Sequence, residues 1–151
     1  MTKTQQRAVD GVLKKMDKSI QQMLTGKLGG RRAWILSTQH TKDGLPFFKV
    51  YFRIPLAPTF QDKQGYGIQT MVSTGKDTVD IASIEATPTK TGMGTYFFQQ
   101  LPKILLGRNM TYVRVESVIA PELKKILLRE GYNDVPVAMN HWKKLKEDYP
   151  H

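Results

Sequence analysis

The chain has 151 residues and a formal net charge of +10, with 23 Lys and Arg against 13 Asp and Glu and no cysteine. That length suits one domain, residues 1–151, with a core of its own. The lack of cysteine excludes disulfides, thiolate zinc sites and cysteine nucleophiles, and it fits a reducing compartment. No run approaches the ~20 apolar residues of a membrane span, and the opening MTKTQQRAVDGV lacks a signal-peptide core, so a cytoplasmic protein that does not cross a membrane is expected.

The first predicted element is a helix over Lys3–Leu24. Val9, Val12, Leu13, Met16, Ile20, Met23 and Leu24 recur every three or four residues, with Arg7, Lys14, Lys15 and Lys18 mostly off that stripe. So regular a stripe packs on the protein's own sheet. Gly26 and Gly29-Gly30 end the helix. Residues 1–32 carry eight Lys or Arg against two Asp, which makes Lys14, Lys18, Arg31 and Arg32 the candidates for contact with nucleic acid or an acidic macromolecule. The same charge also serves simply to keep a surface soluble.

Three strands follow in the expected order: Arg32–Gln39, then Phe47–Ile54 after the turn residues Asp43-Gly44, then a weaker Ile68–Ser73 beyond a loop over 55–67. The alternation of aromatic and basic residues from Phe47 to Arg53 superficially suits single-stranded nucleic acid, but it is also how a half-buried strand reads. His40, His141 and His151 are too scattered to mark a metal site, and none is expected.

From Thr78 to Ala86 a further strand places Val79 and Ile81 on one face and Ala82, Ile84 and Ala86 on the other. Thr87-Pro88 ends it, and Gly92-Met93-Gly94 leads into a helix marked by Phe97, Leu101 and Leu105. A helix that begins directly after glycines presents unpaired backbone N–H groups to an anion; taken alone, a G-x-G equally serves a tight connection. A strand over Thr111–Val118 and a helix over Pro121–Glu130, closed by Gly131-Tyr132, come next. In the tail, Val135, Val137, Met139 and Trp142 suit a short strand or helix closing the sheet edge, with Trp142 as a packing anchor.

The order strand, G-x-G turn, helix, strand, helix, Gly-aromatic over Thr78–Tyr132 resembles the core of the GNAT acetyltransferase superfamily. The resemblance implies an α+β fold, a mixed and mostly antiparallel sheet flanked by helices in three α/β/α layers. It implies acetyl-CoA, or another acyl-CoA, as the bound donor. Thr89-Lys90-Thr91-Gly92-Met93-Gly94 would surround the pyrophosphate, with N–H groups from Met93, Gly94, Thr95 and Tyr96. The N–H of Ile84 or Ala86 would polarise the thioester if a bulge turns it toward the donor, and Glu85 is the best-placed base, ahead of Asp80 and Glu116. A surface pair between Glu85 and Lys49 or Arg114 is the competing reading. Two positions depart from the family: Thr89 stands where Arg or Gln is usual, and Leu127 where many members carry the tyrosine that protonates the departing thiolate. That leaves Tyr96, Tyr112 or water as the proton donor. The implied activity is acyl transfer to an amine, on a nucleic acid or nucleic-acid-associated acceptor. The alternative is a non-catalytic basic protein of the same fold that binds nucleic acid or an acidic partner.

Overall fold

The computed structural model describes residues 1–24, 32–37, 45–54, 77–116, 118–135 and 140–145. The expected loop 55–67, the expected strand Ile68–Ser73, Arg31 and the side chain of Arg32 lie outside the described residues.

Helix α1 (Lys3–Leu24) starts at a reciprocal cap: the Gln5 N–H donates to Thr2 Oγ1 at 3.1 Å, and the Thr2 N–H donates to Gln5 Oε1 at 2.8 Å. Val9, Val12, Leu13, Met16 and Ile20 are buried, as their spacing requires, whereas Leu24 is exposed, so the stripe stops short of the helix end. Strand β1 (Arg32–Ser37) pairs antiparallel with β2 (Phe47–Ile54), and β2 pairs antiparallel with β3 (Thr78–Thr87). After β3 the chain crosses through α2 (Met93–Gly107) into β4 (Tyr112–Val115), which lies parallel to β3. Helix α3 (Pro121–Arg129) leads to β5 (Asn133–Val135) and β6 (Asn140–Lys144), and the sheet order is β1-β2-β3-β4-β6-β5. The sheet is therefore mixed and mostly antiparallel, and the fold is α+β.

Phe48, Val50, Phe52 and Ile54 of β2 alternate inward and pack beneath the helices with Val79, Ile81, Val113 and Val115. A chain of rings holds the layers together. Phe48 stacks tilted on Phe97 at 5.3 Å, Phe97 meets Phe98 edge-on at 5.1 Å, and Phe98 meets Tyr132 edge-on at 6.0 Å. Since α1 and α3 both pack on α2, the three described helices share one face of the sheet. The described residues thus form two layers where three were expected, because α1 lies beside the crossover helix and not across the sheet from it. Trp142 is half-buried beside Arg114 on the opposite face and stands apart from the main core.

The faces of β3 also differ from the strict alternation expected. Tyr51 pairs with Ser83 but Phe52 pairs with Ile81, so Ala82 is an extra residue that bulges from the strand. The bulge resets the parity. Ile81, Ile84 and Ala86 lie opposite Phe52, Val50 and Phe48 on the helix-covered face, while Asp80, Ser83 and Glu85 lie opposite Arg53, Tyr51 and Lys49 on the other.

Two predictions follow from the core. Phe97→Ala removes the ring joining β2 to the rest of α2 and should lower the unfolding free energy by about 3–5 kcal/mol in urea titration. The other concerns His141, which is buried on β6 with neither ring nitrogen hydrogen-bonded among the described residues. Burial pushes its pKa below the ordinary 6.5; Asp134, 3.6 Å away, opposes the shift and Lys124 reinforces it. The folded state therefore binds fewer protons than the unfolded chain, and the neutral ring's contribution, complete above pH 6.5, is lost as the pH falls below that value. Stability should decline on acidification from pH 7 to 5, and His141→Leu should flatten that part of the profile.

Candidate functional site

Beyond the bulge, β3 and β4 part. The last bond between them runs from the Glu116 N–H to the Ile81 carbonyl at 2.9 Å, whereas β3 continues to Thr87. Because the Ile81 carbonyl points at β4 and Ala82 is the extra residue, Ser83, Glu85 and Thr87 direct their backbone groups at β2. Ile84 and Ala86 direct theirs into the gap that β4 has left. The bulge on which the sequence reading made these two N–H groups conditional is present.

A cleft of about 540 Å³ opens beside that gap. Ile84 and Ala86 form one wall, Leu123 and Ile126 of α3 the facing wall, and the turn from Pro88 to Gly92 with the first turn of α2 closes the end. The turn is shaped by two left-handed residues, Lys90 at φ 60° and Gly92 at φ 90°, and by the Thr91 hydroxyl, which donates to the Pro88 carbonyl at 3.3 Å. Gly92 is the N-cap of α2, and among the described residues no side chain caps this end. The Tyr96 N–H donates to the Gly92 carbonyl at 2.9 Å, so the N–H groups of Met93, Gly94 and Thr95 precede the helical ladder. Tyr96, expected among the anion-binding amides, is withdrawn from that set because its N–H makes the first bond of the helix.

An acyl-coenzyme A fits this arrangement on two observations: three amides without helical partners stand at one end, and the walls beyond them are apolar. Thr89, Lys90, Thr91, Gly92, Met93, Gly94, Thr95, Ile84 and Ala86, all named from the sequence, line the one cleft. Thr89 contributes no charge there. The sequence pattern did not point to the α3 residues Glu122, Leu123 and Ile126, because a facing wall has no local signature.

The residues expected to act chemically are not brought into it. Glu85 is exposed on the sheet face away from the cleft, across from Lys49. The Tyr96 hydroxyl donates to Asp10 Oδ1 at 2.6 Å, and that bond is the main cause of its raised pKa, so the ring is held against α1. Tyr112 begins β4, three residues or ~10 Å before the strands part. Leu127 is fully buried in the core. Of the candidate nucleic-acid contacts, Lys14 and Lys18 are exposed on α1, and Lys14 lies in a shallow groove that also holds Asp10 and Asp17. Arg32 begins β1.

A group of four charges lies on the face away from the cleft, just where β3 and β4 part. Asp80 is fully buried, 2.8 Å from Arg114 and 3.6 Å from Arg53, and Glu116 pairs with both arginines, at 2.7 and 2.5 Å. Burial raises the pKa of Asp80, with the neighbouring arginines opposing the shift and Glu116 adding to it. Asp80 Oδ1 is buried with no hydrogen-bond partner among the described residues.

The strand order, the parallel pair parting beyond a bulge and the glycine turn between them agree with the arrangement that the sequence resemblance to the GNAT superfamily implies. No family model matches the chain, and no curated protein does. Among solved structures the chain is similar to the crystal structure of Tetrahymena GCN5, with 10% sequence identity and a TM-score of 0.47 over 99% of this chain and 94% of that one. No described helix is long and apolar enough to cross a membrane.

The two glycines of the turn should respond differently to alanine. At Gly92 the positive φ strains any side chain, so Gly92→Ala should cost about 1–2 kcal/mol in urea titration. At Gly94 an added Cβ would meet Ile126 Cδ1 at an ordinary 3.7 Å, within a helix, so Gly94→Ala should be neutral or gain up to ~1 kcal/mol.

Proposed function

We propose that the protein is an acyltransferase of GNAT type that moves an acyl group from acyl-coenzyme A to an amine. The observation that carries this reading is the continuity of the cleft. One surface runs from the amides of Met93, Gly94 and Thr95 along apolar walls to the outward-turned N–H groups of Ile84 and Ala86. Those are the contacts that an anionic diphosphate, an uncharged arm and a thioester carbonyl need in turn. The donor supplies an activated carbonyl whose thiolate can leave. The N–H of Ile84 or Ala86, aimed at the gap, would stabilise the negative charge that develops on that oxygen.

An acceptor amine is protonated at neutral pH, so a base must remove its proton. We assign that role to Asp80 in place of Glu85. Burial raises the Asp80 pKa above the ordinary carboxylate value, Oδ1 has no hydrogen-bond partner among the described residues, and the group stands one residue before the last bond between β3 and β4. Glu85, by contrast, is solvated opposite Lys49. With Leu127 in the core and Tyr96 held by Asp10, water is the proton source for the leaving thiolate.

Calorimetric titration with acetyl-coenzyme A should show binding to the wild type and none to Gly94→Glu, whose carboxylate would occupy the cleft, with both proteins folded by circular dichroism. Asp80→Asn should keep donor binding and lose acyl transfer at least a hundredfold, together with the rise of rate with pH. If the wild type binds no donor but retains nucleic acid with a steep salt dependence, the basic-protein alternative replaces this reading.

A further inference from the structure

Among the described residues, Arg53, Arg108 and Arg114 each face a carboxylate. Arg129 does not. It lies exposed in the last turn of α3, and its guanidinium donates instead to the neutral hydroxyl of Thr95, at 3.3 Å. Thr95 is one of the cleft's lining residues and belongs to the first turn of α2, where the Met93 and Gly94 amides point out of the helix. A long neutral bond anchors one edge of the planar fork and leaves its other N–H donors and its full charge at the cleft's polar end. Lys90, a second cation, lines that end from the turn. The carboxylate that lines the cleft, Glu122, belongs to the first turn of α3, seven residues before Arg129 and so ~10 Å along the helix. The cleft is thus polarised along its length, cationic beside α2's first turn and apolar further in.

We propose that Arg129 is a phosphate ligand of this cleft, closing from α3 over the diphosphate of a nucleotide-linked thioester whose other side rests on the α2 amides. The inference rests on the acyl-donor reading of the same site. Thr95 is the positioning partner: its hydroxyl holds the guanidinium at the rim, so that the planar fork meets a tetrahedral anion with little side-chain freedom left to lose.

The test is calorimetric titration of the wild type, Arg129→Gln and Arg129→Lys with coenzyme A, with its 3′-dephospho form, and with pantetheine, which has no phosphate. Arg7→Gln, an exposed arginine on α1 remote from the cleft, controls for the loss of one positive charge. Arg129→Gln should weaken both phosphorylated ligands by the same factor, roughly tenfold, leave pantetheine unchanged and leave the unfolding midpoint within a degree or two. Arg129→Lys should recover part of the loss, and Arg7→Gln should bind as the wild type does. Equal affinity of Arg129→Gln and wild type for coenzyme A would overturn the proposal while leaving the donor site intact. A loss confined to coenzyme A, absent from the dephospho form, would move Arg129 to the 3′-phosphate and overturn the diphosphate assignment. Absence of wild-type binding to either phosphorylated ligand would remove the donor reading and this proposal together.

Discussion

Ala82 gives β3 one residue more than β2 opposite it, and the arrangement of the site depends on that surplus. Without it, strict alternation would continue the register of Ile81 and send Ile84 and Ala86 to the face that carries Asp80. Ser83 and Glu85 would then turn inward beneath the helices. With it, two small apolar side chains line the cleft and their amides look into the gap beside β4. A bulge also increases local twist, and β4 leaves the pairing within a few residues of it. The same irregularity thus supplies the wall, the hydrogen-bond donors and the opening.

The opening has to be held apart by something stiffer than the sheet, and the aromatic chain from Phe48 through Phe97 and Phe98 to Tyr132 does this. It seats α2 on β2 and joins the end of α3 to α2. The first turn of α2 faces α3 at Gly94 and Ile126, with room there for one further methyl group. At the other end of α3, the Lys143 ammonium donates to the Glu130 carbonyl, so a strand residue completes the helix terminus. The cleft is consequently walled by two helices whose relative position is set by buried rings and not by exposed ion pairs, which contribute little.

Helix α1, β2, β3, the glycine turn and both later helices were legible in the sequence because each has a period or a punctuation mark of its own: Val9 to Ile20 at helical steps, Phe48 to Ile54 alternating, Gly92 and Gly131 at left-handed positions. The backbone half of the site was legible for the same reason, since a cradle of amides is local in sequence. What failed was non-local. The shift in parity at Ala82 depends on the partner strand, so Ile81 and Ile84 were assigned to opposite faces. Tyr96 looked available until Asp10, 86 residues earlier in the chain, took its hydroxyl. The cleft's second wall and Arg129 belong to a helix whose pattern reports only which face is buried.

The charge group at the parting of β3 and β4 is costly in stability terms, and that cost bears on function. Taking Asp80 out of water carries a desolvation penalty that two arginines offset incompletely and that the neighbouring Glu116 carboxylate adds to, as its raised pKa indicates. A well-packed apolar trio at Arg53, Asp80 and Arg114 would satisfy the fold at least as well, since these residues already sit in one row across β2, β3 and β4. What apolar residues would lack is a carboxylate whose pKa burial raises, next to the point where the strands separate. Glu116 bridges both arginines, so a proton gained by Asp80 still leaves each arginine one ion pair. An acyl-transfer reading gives that expense a use: the amides of Ile84 and Ala86 face a developing negative charge on one side of the sheet, and Asp80 waits for a proton on the other.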